Sequence, residues 1–136
     1  MAVEIREGDP LDPALLRNLY EHAPWARGRT IEGIERMLKN TDYQFSAWDG
    51  GSLVGFARVL TDGIYRATLW DVVVHPGYQK RGVGESLISR VLAHPVLGSV
   101  EKFWLNTRDK FGFYEKFGFV RSPEGMVRIR PDAAGK

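Results

Sequence analysis

The stretch "VVVHPGYQKRGVGESLI" (residues 72–88) joins a run of valines to a helical pattern through two glycines and two cations. A continuously apolar run such as Val72 to Val74 belongs to a strand buried on both faces, inside a sheet. His75-Pro76-Gly77 stops it. Downstream, Val83, Leu87, Ile88, Val91 and Leu92 recur at helical spacing through "GVGESLISRVLAH". A plain turn needs one glycine at most. Here Gly82 and Gly84 stand at a helix start, where unpaired N–H groups and the positive end of the helix dipole face outward. Glycine lets that backbone come close to a ligand, and N–H groups converging on one point form a phosphate site. Gln79, Lys80 and Arg81 add side-chain donors at its rim. The junction predicts a pyrophosphate grip, with a simple basic strand-to-helix turn as the alternative. It is not a GxxxxGK loop followed by Ser or Thr. Nor is it the GxGxxG fingerprint, because the run from Gly82 to Leu87 lacks the third glycine. The pattern present is Q-x-x-G-x-G.

Working outward, Val3 and Ile5 alternate with charges as in a short strand. "DPALLRNLYEH" reads as a helix with Asp12 as N-cap and Pro13 at its first position. Thr30 caps a second helix, "IEGIERMLKN". "YQFSAW" and "SLVGFARVL" flank Asp49-Gly50-Gly51, a hairpin signal, and "TDGIY" turns the chain into "RATLWDVVV". "VEKFWLN" reads as a further strand, "RDKFGFYEKFG" as a short helix ended by Gly118, "GMVRIR" as a last strand and "PDAAGK" as a frayed tail. The predicted order is β-α-α-β-β-β-α-β-α-β, an α+β sheet with helices on both faces.

A chain of 136 residues, 43% hydrophobic, suits one domain spanning 1–136 with one core. The absence of cysteine excludes disulfides, thiolate metal sites and a cysteine nucleophile, and fits a reducing compartment. A net charge of +2 and a pI near 9.0 are too mild to argue for nucleic acid, and favour a small anionic ligand. The N-terminus does not read as a secretory signal, and no apolar run reaches the ~18 residues of a membrane helix. His22, His75 and His94 fall on separate elements without ligand spacing, so no metal site is expected. The expectation is a cytoplasmic protein with no membrane or nucleic-acid partner.

The segment from Leu69 to Val120 carries a resemblance. "VVVHPGYQKRGVGESLI" is similar to the acetyl-CoA-binding segment of the GCN5-related N-acetyltransferases (GNAT), whose signature is R/Q-x-x-G-x-G/A, and "FYEKFGF" resembles their second motif. "WARGRT", "MLKNTDYQ", "VGFARVLTDGIYRATLWDVVVHPGYQ" and "SPEGM" resemble plastid and cyanobacterial serotonin N-acetyltransferases. The chain departs from that group at Lys80-Arg81, where the group has glycine, and at Leu105 to Arg108. The resemblance implies the GNAT fold: a mixed, mostly antiparallel sheet of six to seven strands, with splayed central strands and helices on both faces. It implies acetyl-CoA as co-substrate, held by the backbone of Val72, Val73 and Val74 and by Gln79, Lys80, Arg81, Gly82, Val83, Gly84 and Glu85. It implies transfer to a primary amine, a small arylalkylamine first, by direct attack in a ternary complex. The alternatives are a protein lysine or N-terminus as acceptor, or a non-catalytic acyl-CoA sensor. A homodimer is also implied.

Tyr114 is the candidate acid by its place in "FYEKFGF". A phenol is protonated at pH 7 and can serve a departing thiolate; the plainer reading is a core tyrosine beside Phe111, Phe113 and Phe117. Asp71 interrupts an apolar strand, where a carboxylate is costly without a partner. It either binds or deprotonates the amine, or makes a structural hydrogen bond. Asp62 and Glu32 are lesser candidates for the base. Trp25, Tyr65 and Trp70 are the candidate aromatic surface for the acceptor.

Overall fold

The computed structural model describes residues 2–133. The chain groups into two compact units, one up to Asn106 and one from Thr107 onward. The first unit holds strands β1 (Glu4–Glu7), β2 (Tyr43–Asp49), β3 (Ser52–Thr61), β4 (Arg66–Val74) and β5 (Lys102–Trp104), with helices α1 (Pro13–Tyr20), α2 (Ile31–Lys39) and α3 (Val83–Ala93). The five strands lie in sequence order; the first four pair antiparallel and β5 runs parallel to β4. The parallel step is the one bridged by α3, since parallel neighbours need a crossover and a hairpin cannot supply it.

Local signals set the element boundaries. Asp12 Oδ1 accepts from the Ala14 N–H at 2.9 Å, with Pro13 at the first helical position. Thr30 Oγ1 accepts from the Gly33 N–H at 3.0 Å. Both occupy donors that a helix start leaves unpaired. Gly50, at φ 59°, turns β2 into β3. The Asp62 carboxylate accepts N–H groups of Ile64, Tyr65 and Arg66, which organises the β3–β4 turn and holds that carboxyl below its usual range.

Both sheet faces are covered. Phe56 faces Leu16, Leu19 and Tyr20 of α1 and Ile34 of α2 in one buried cluster. Its neighbour Gly55 points the other way, as alternation along a strand requires, and lies against Val83 and Leu87 of α3. Among the described residues, no helix is long and apolar enough to cross a membrane.

The sheet has five strands, not six to seven. The strand expected at "GMVRIR" is not formed: residues 125–130 carry no strand pairing, and Met126, Val127 and Ile129 are exposed. Alternation supplies a face, but a strand also needs a neighbouring ladder, and none pairs there. The segment "VEKFWLN" forms a strand only over Lys102–Trp104. In the second unit the expected helix shortens to α4 (Phe111–Glu115), and Gly118, at φ 91°, turns the chain out of the following turn as expected.

Gly55 tests the helix-to-sheet contact. A Cβ there would stand 3.1 Å from Ala47 Cβ, 3.1 Å from Leu87 Cδ1 and 3.2 Å from Val83 Cγ1. All three neighbours are buried, so none can withdraw freely. Gly55→Ala is expected to cost about 1–3 kcal/mol, seen as a lower urea midpoint at unchanged m. An unchanged midpoint would mean that α3 moves off β3 without cost.

Candidate active site

The end of β4 and the start of α3 are held by side chains of the junction itself. His75 Nδ1 accepts from the Gly77 N–H at 3.0 Å, closing the single turn Pro76–Tyr78. The Tyr78 hydroxyl donates to Asp49 Oδ2, tying the loop to the β2–β3 turn; this bond raises the Tyr78 pKa. Gln79 Nε2 donates to the Val74 carbonyl at 3.1 Å. Its amide therefore braces the loop with one of its two N–H donors. Lys80 and Gly82 both have positive φ, 62° and 81°, on either side of Arg81, whose guanidinium lies 5.7 Å from the Tyr78 ring centroid. This is the local geometry of a backbone anion nest. Gly82 caps α3 without a side chain, and the first helical bond runs from the Ser86 N–H to the Gly82 carbonyl. The N–H groups of Val83 and Gly84 thus have no acceptor within the helix.

β4 leads into this loop with one edge unpaired. It pairs with β5 only from Arg66 to Thr68. From Leu69 to Val74, among the described residues, no strand lies on that side. Alternate residues of a strand direct their N–H and C=O groups to opposite edges, so the Val72–Val74 stretch offers backbone groups there. On its other side β4 pairs with β3 through a bulge: Arg58 faces Trp70 and Phe56 faces Val73, which leaves one extra residue on β4.

Asp71 sits in that bulge with φ 55° and is buried. Its Oδ2 accepts from the Tyr20 hydroxyl at 2.9 Å, from Arg29 Nη1 at 2.7 Å and from Arg58 Nε at 2.8 Å. Burial alone would raise its pKa. Hydrogen bonds from Arg29 and Arg58, then their charges, outweigh it and hold the carboxyl below its usual range. Burial and the Asp71 charge push the Tyr20 phenol up. Sequence reading gave Asp71 a structural partner as one alternative but did not identify the three donors. The available signal was an arginine in "LVGFARVL" and an aspartate in "LWDVVV", two apolar strands joined by a short turn.

The candidate aromatics separate. Trp25 is joined to Asp71 through Arg29, whose guanidinium lies 4.9 Å from the Tyr20 ring and 5.6 Å from the Trp25 ring. Trp70 precedes Asp71 on β4 and is partly exposed. Tyr65 stands at the far end of β4, six residues away, on the order of 20 Å along an extended chain. It is not brought to the cluster. His22 and His75 do meet, at 4.5 Å between ring centroids, contrary to their separation in sequence. Asp62 caps its turn, and Glu32 lies in the first turn of α2. In the second unit Tyr114 is buried within α4, its ring edge-on to Phe113 and Phe119. Burial pushes its pKa up to about 12.

Residues 40–121 match the family model for the acetyltransferase (GNAT) domain. The chain is 31% identical over 116 residues to an uncharacterized N-acetyltransferase, ycf52, of Pyropia yezoensis, covering 82% of this chain and 66% of that one. It is 39% identical over 133 residues to histone acetyltransferase TAP1 of Glycine max, covering 88% and 56%. It is 29% identical over 126 residues to chloroplastic serotonin N-acetyltransferase 2 of Oryza sativa subsp. japonica, covering 89% and 62%. The chain therefore spans less than two thirds of the length of these relatives. Among solved structures, a protein of Xanthomonas campestris pv. campestris assigned to the GNAT family superposes with a TM-score of 0.83 at 28% identity, covering 98% of both chains. The family match covers more than half of the chain, the open mixed sheet superposes over nearly all of it, and the chain belongs to the GNAT family.

Proposed function

We propose that this chain transfers an acetyl group from acetyl-CoA to a primary amine, a small arylalkylamine first, by direct attack in a ternary complex. The observation that carries the reading is the junction of β4 and α3: a strand with an unpaired edge runs straight into a glycine loop at a helix N-terminus. A pyrophosphate suits the N–H groups of Val83 and Gly84, with Lys80 and Arg81 adding positive charge. The backbone groups that Val72–Val74 direct to the unpaired edge, where the Val74 carbonyl already accepts from Gln79, suit the amides of a pantetheine chain, and an N–H among them suits the thioester oxygen.

The amine nitrogen attacks the carbonyl carbon, the carbon–sulfur bond breaks, and the amine gives up a proton while the thiolate gains one. The charges around Asp71 favour a neutral amine. One carboxylate faces two guanidinium groups, so the cluster has a net positive charge and disfavours an ammonium ion. A carboxylate held below its usual range is also a weak base. We assign Asp71 to hydrogen bonding with the amine through Oδ1, since among the described residues the three side-chain donors all go to Oδ2. Tyr114 keeps the donor role that its motif implies. With its pKa near 12 it stays protonated at neutral pH and stabilises the thiolate chiefly as a hydrogen-bond donor. Trp25, on the loop that Arg29 ties to Asp71, and Trp70, next to Asp71 on β4, supply exposed aromatic surface, and the rice relative is named for an aromatic amine. A lysine side chain is the second reading, favoured by the higher identity to the soybean histone acetyltransferase.

The test is a thiol-release assay of the purified chain with saturating acetyl-CoA and four acceptors: tryptamine, serotonin, an aliphatic diamine and a lysine peptide. Burying an indole should raise kcat/KM for the first two by about tenfold or more over the diamine. Preference for the peptide would transfer the assignment to protein acetylation, and binding without turnover of any acceptor would leave a sensor. Gly84→Asp brings a negative charge to the phosphate site and is expected to weaken acetyl-CoA binding about tenfold or more, about 1.4 kcal/mol, by calorimetry. Tyr114→Phe should leave that affinity intact and lower kcat about 10²-fold; a change below about threefold, with chemistry limiting, would return Tyr114 to the core.

A further inference from the structure

The left-handed conformation of Asp71 is unfavourable for any residue with a Cβ and persists only where its surroundings over-determine it. Three donors on one oxygen do so here, and they come from three elements. Tyr20 ends α1, Arg29 lies just before α2, and Arg58 lies on β3. The bulge they hold has a consequence downstream. A strand that loses one extra residue shifts every later side chain to the opposite face. Val73, buried in the cluster with Phe56 and Tyr20, depends on the bulge for its direction. So do the backbone groups of Val72–Val74 at the unpaired edge.

We propose that Arg29 and Arg58 are positioning residues of the acyl-transfer strand: by clamping Asp71 Oδ2 they fix the bulge, and with it the direction in which Val72–Val74 present their N–H and C=O groups. This rests on the reading of β4 as the strand that holds the thioester. Arg29 is the more informative of the two. Its side chain is 34% exposed, against 15% for Arg58, so its replacement disturbs less packing. It lies on the loop that also carries Trp25, so the clamp ties that loop to the strand.

Amide spectra of the whole 15N-labelled chain test this without reference to activity. Arg29→Gln should move the resonances of Asp71 to Val74 and speed their hydrogen exchange, and leave those of Val83 and Gly84 in place. Acetyl-CoA affinity should weaken, since Val72–Val74 also meet the pantetheine amides, and kcat with saturating acetyl-CoA and tryptamine should fall about tenfold through misdirected donors. Loss of Arg29 removes a cation that lowers the Asp71 pKa, so the acid limb of the kcat profile should move to higher pH. Arg29→Lys keeps the charge and should restore that limb and part of kcat. A folded Arg29→Gln chain with unmoved Val72–Val74 amides and kcat within about twofold of the parent, and only a lower Tm, would make the clamp purely structural. If Arg29→Gln does not fold, Arg29→Lys decides: the same amides must shift, and their constancy overturns the proposal. If the parent chain releases no thiol with any amine, the acetyltransferase reading fails, and the amide shifts alone still decide the clamp.

Discussion

A single carboxylate oxygen, Asp71 Oδ2, receives two guanidinium groups and a phenol at the point where β4 leaves regular strand geometry. Withdrawing such a charge from water costs several kcal/mol per ion, and attraction in the interior repays it only where geometry is good and the remaining lone pairs are satisfied. A buried cluster of this kind is weak evidence for stability. It is stronger evidence for specificity, because an apolar trio in its place would fit several registers, whereas three directed donors fit one. The first unit depends on that choice. The bulge decides which way Val73 faces, and Val73 belongs to the cluster that seats α1 and α2 on the sheet.

The other end of the same strand solves a different problem. β4 needs a partner on each side, but β5 supplies only three residues. The unpaired backbone beyond Thr68 would be a liability in a structural sheet, since free N–H and C=O groups recruit other strands. Here the strand runs directly into a loop in which His75 and Gln79 each hold one local bond and Tyr78 bonds Asp49 of the β2–β3 turn. The loop is braced by its own side chains, so its backbone donors remain available. Bracing at the loop and clamping at the bulge leave only Val72–Val74 between two fixed points.

Much of this was legible in the sequence, and the parts that were not share a cause. Asp12, Thr30 and Asp49-Gly50-Gly51 act within a few residues of themselves, and each does what local chemistry predicts. The valine run and the glycines after it located the strand-to-helix junction for the same reason. The Asp71 partners lie 13, 42 and 51 residues away. No periodicity reaches that far, and only the oddity of a charge in an apolar strand marked them. The bond from Gln79 to the Val74 carbonyl was not legible, because a side-chain amide serves a phosphate or its own backbone equally well. The last strand failed differently: residues 125–130 have the right alternation, and pairing, which composition does not encode, is what is missing.

The charges assemble into a consistent account of proton placement. An ammonium ion cannot attack a carbonyl, and on the proposed reading, in which the amine arrives beside Asp71, the cluster there, with two cations to one anion, disfavours that ion. The carboxylate is held below its usual range, so it stays ionised and remains an acceptor of hydrogen bonds without taking up the proton itself. Tyr114 is displaced the other way, to about 12, and stays a donor. Neither group changes protonation across the neutral range, so in the proposed reaction the proton released by the amine leaves through solvent. On this account, activity should rise with pH as the free amine itself deprotonates. The rising limb of kcat/KM then belongs to the substrate: it should follow the amine pKa from one acceptor to the next and stay in place when Asp71 is replaced by Asn.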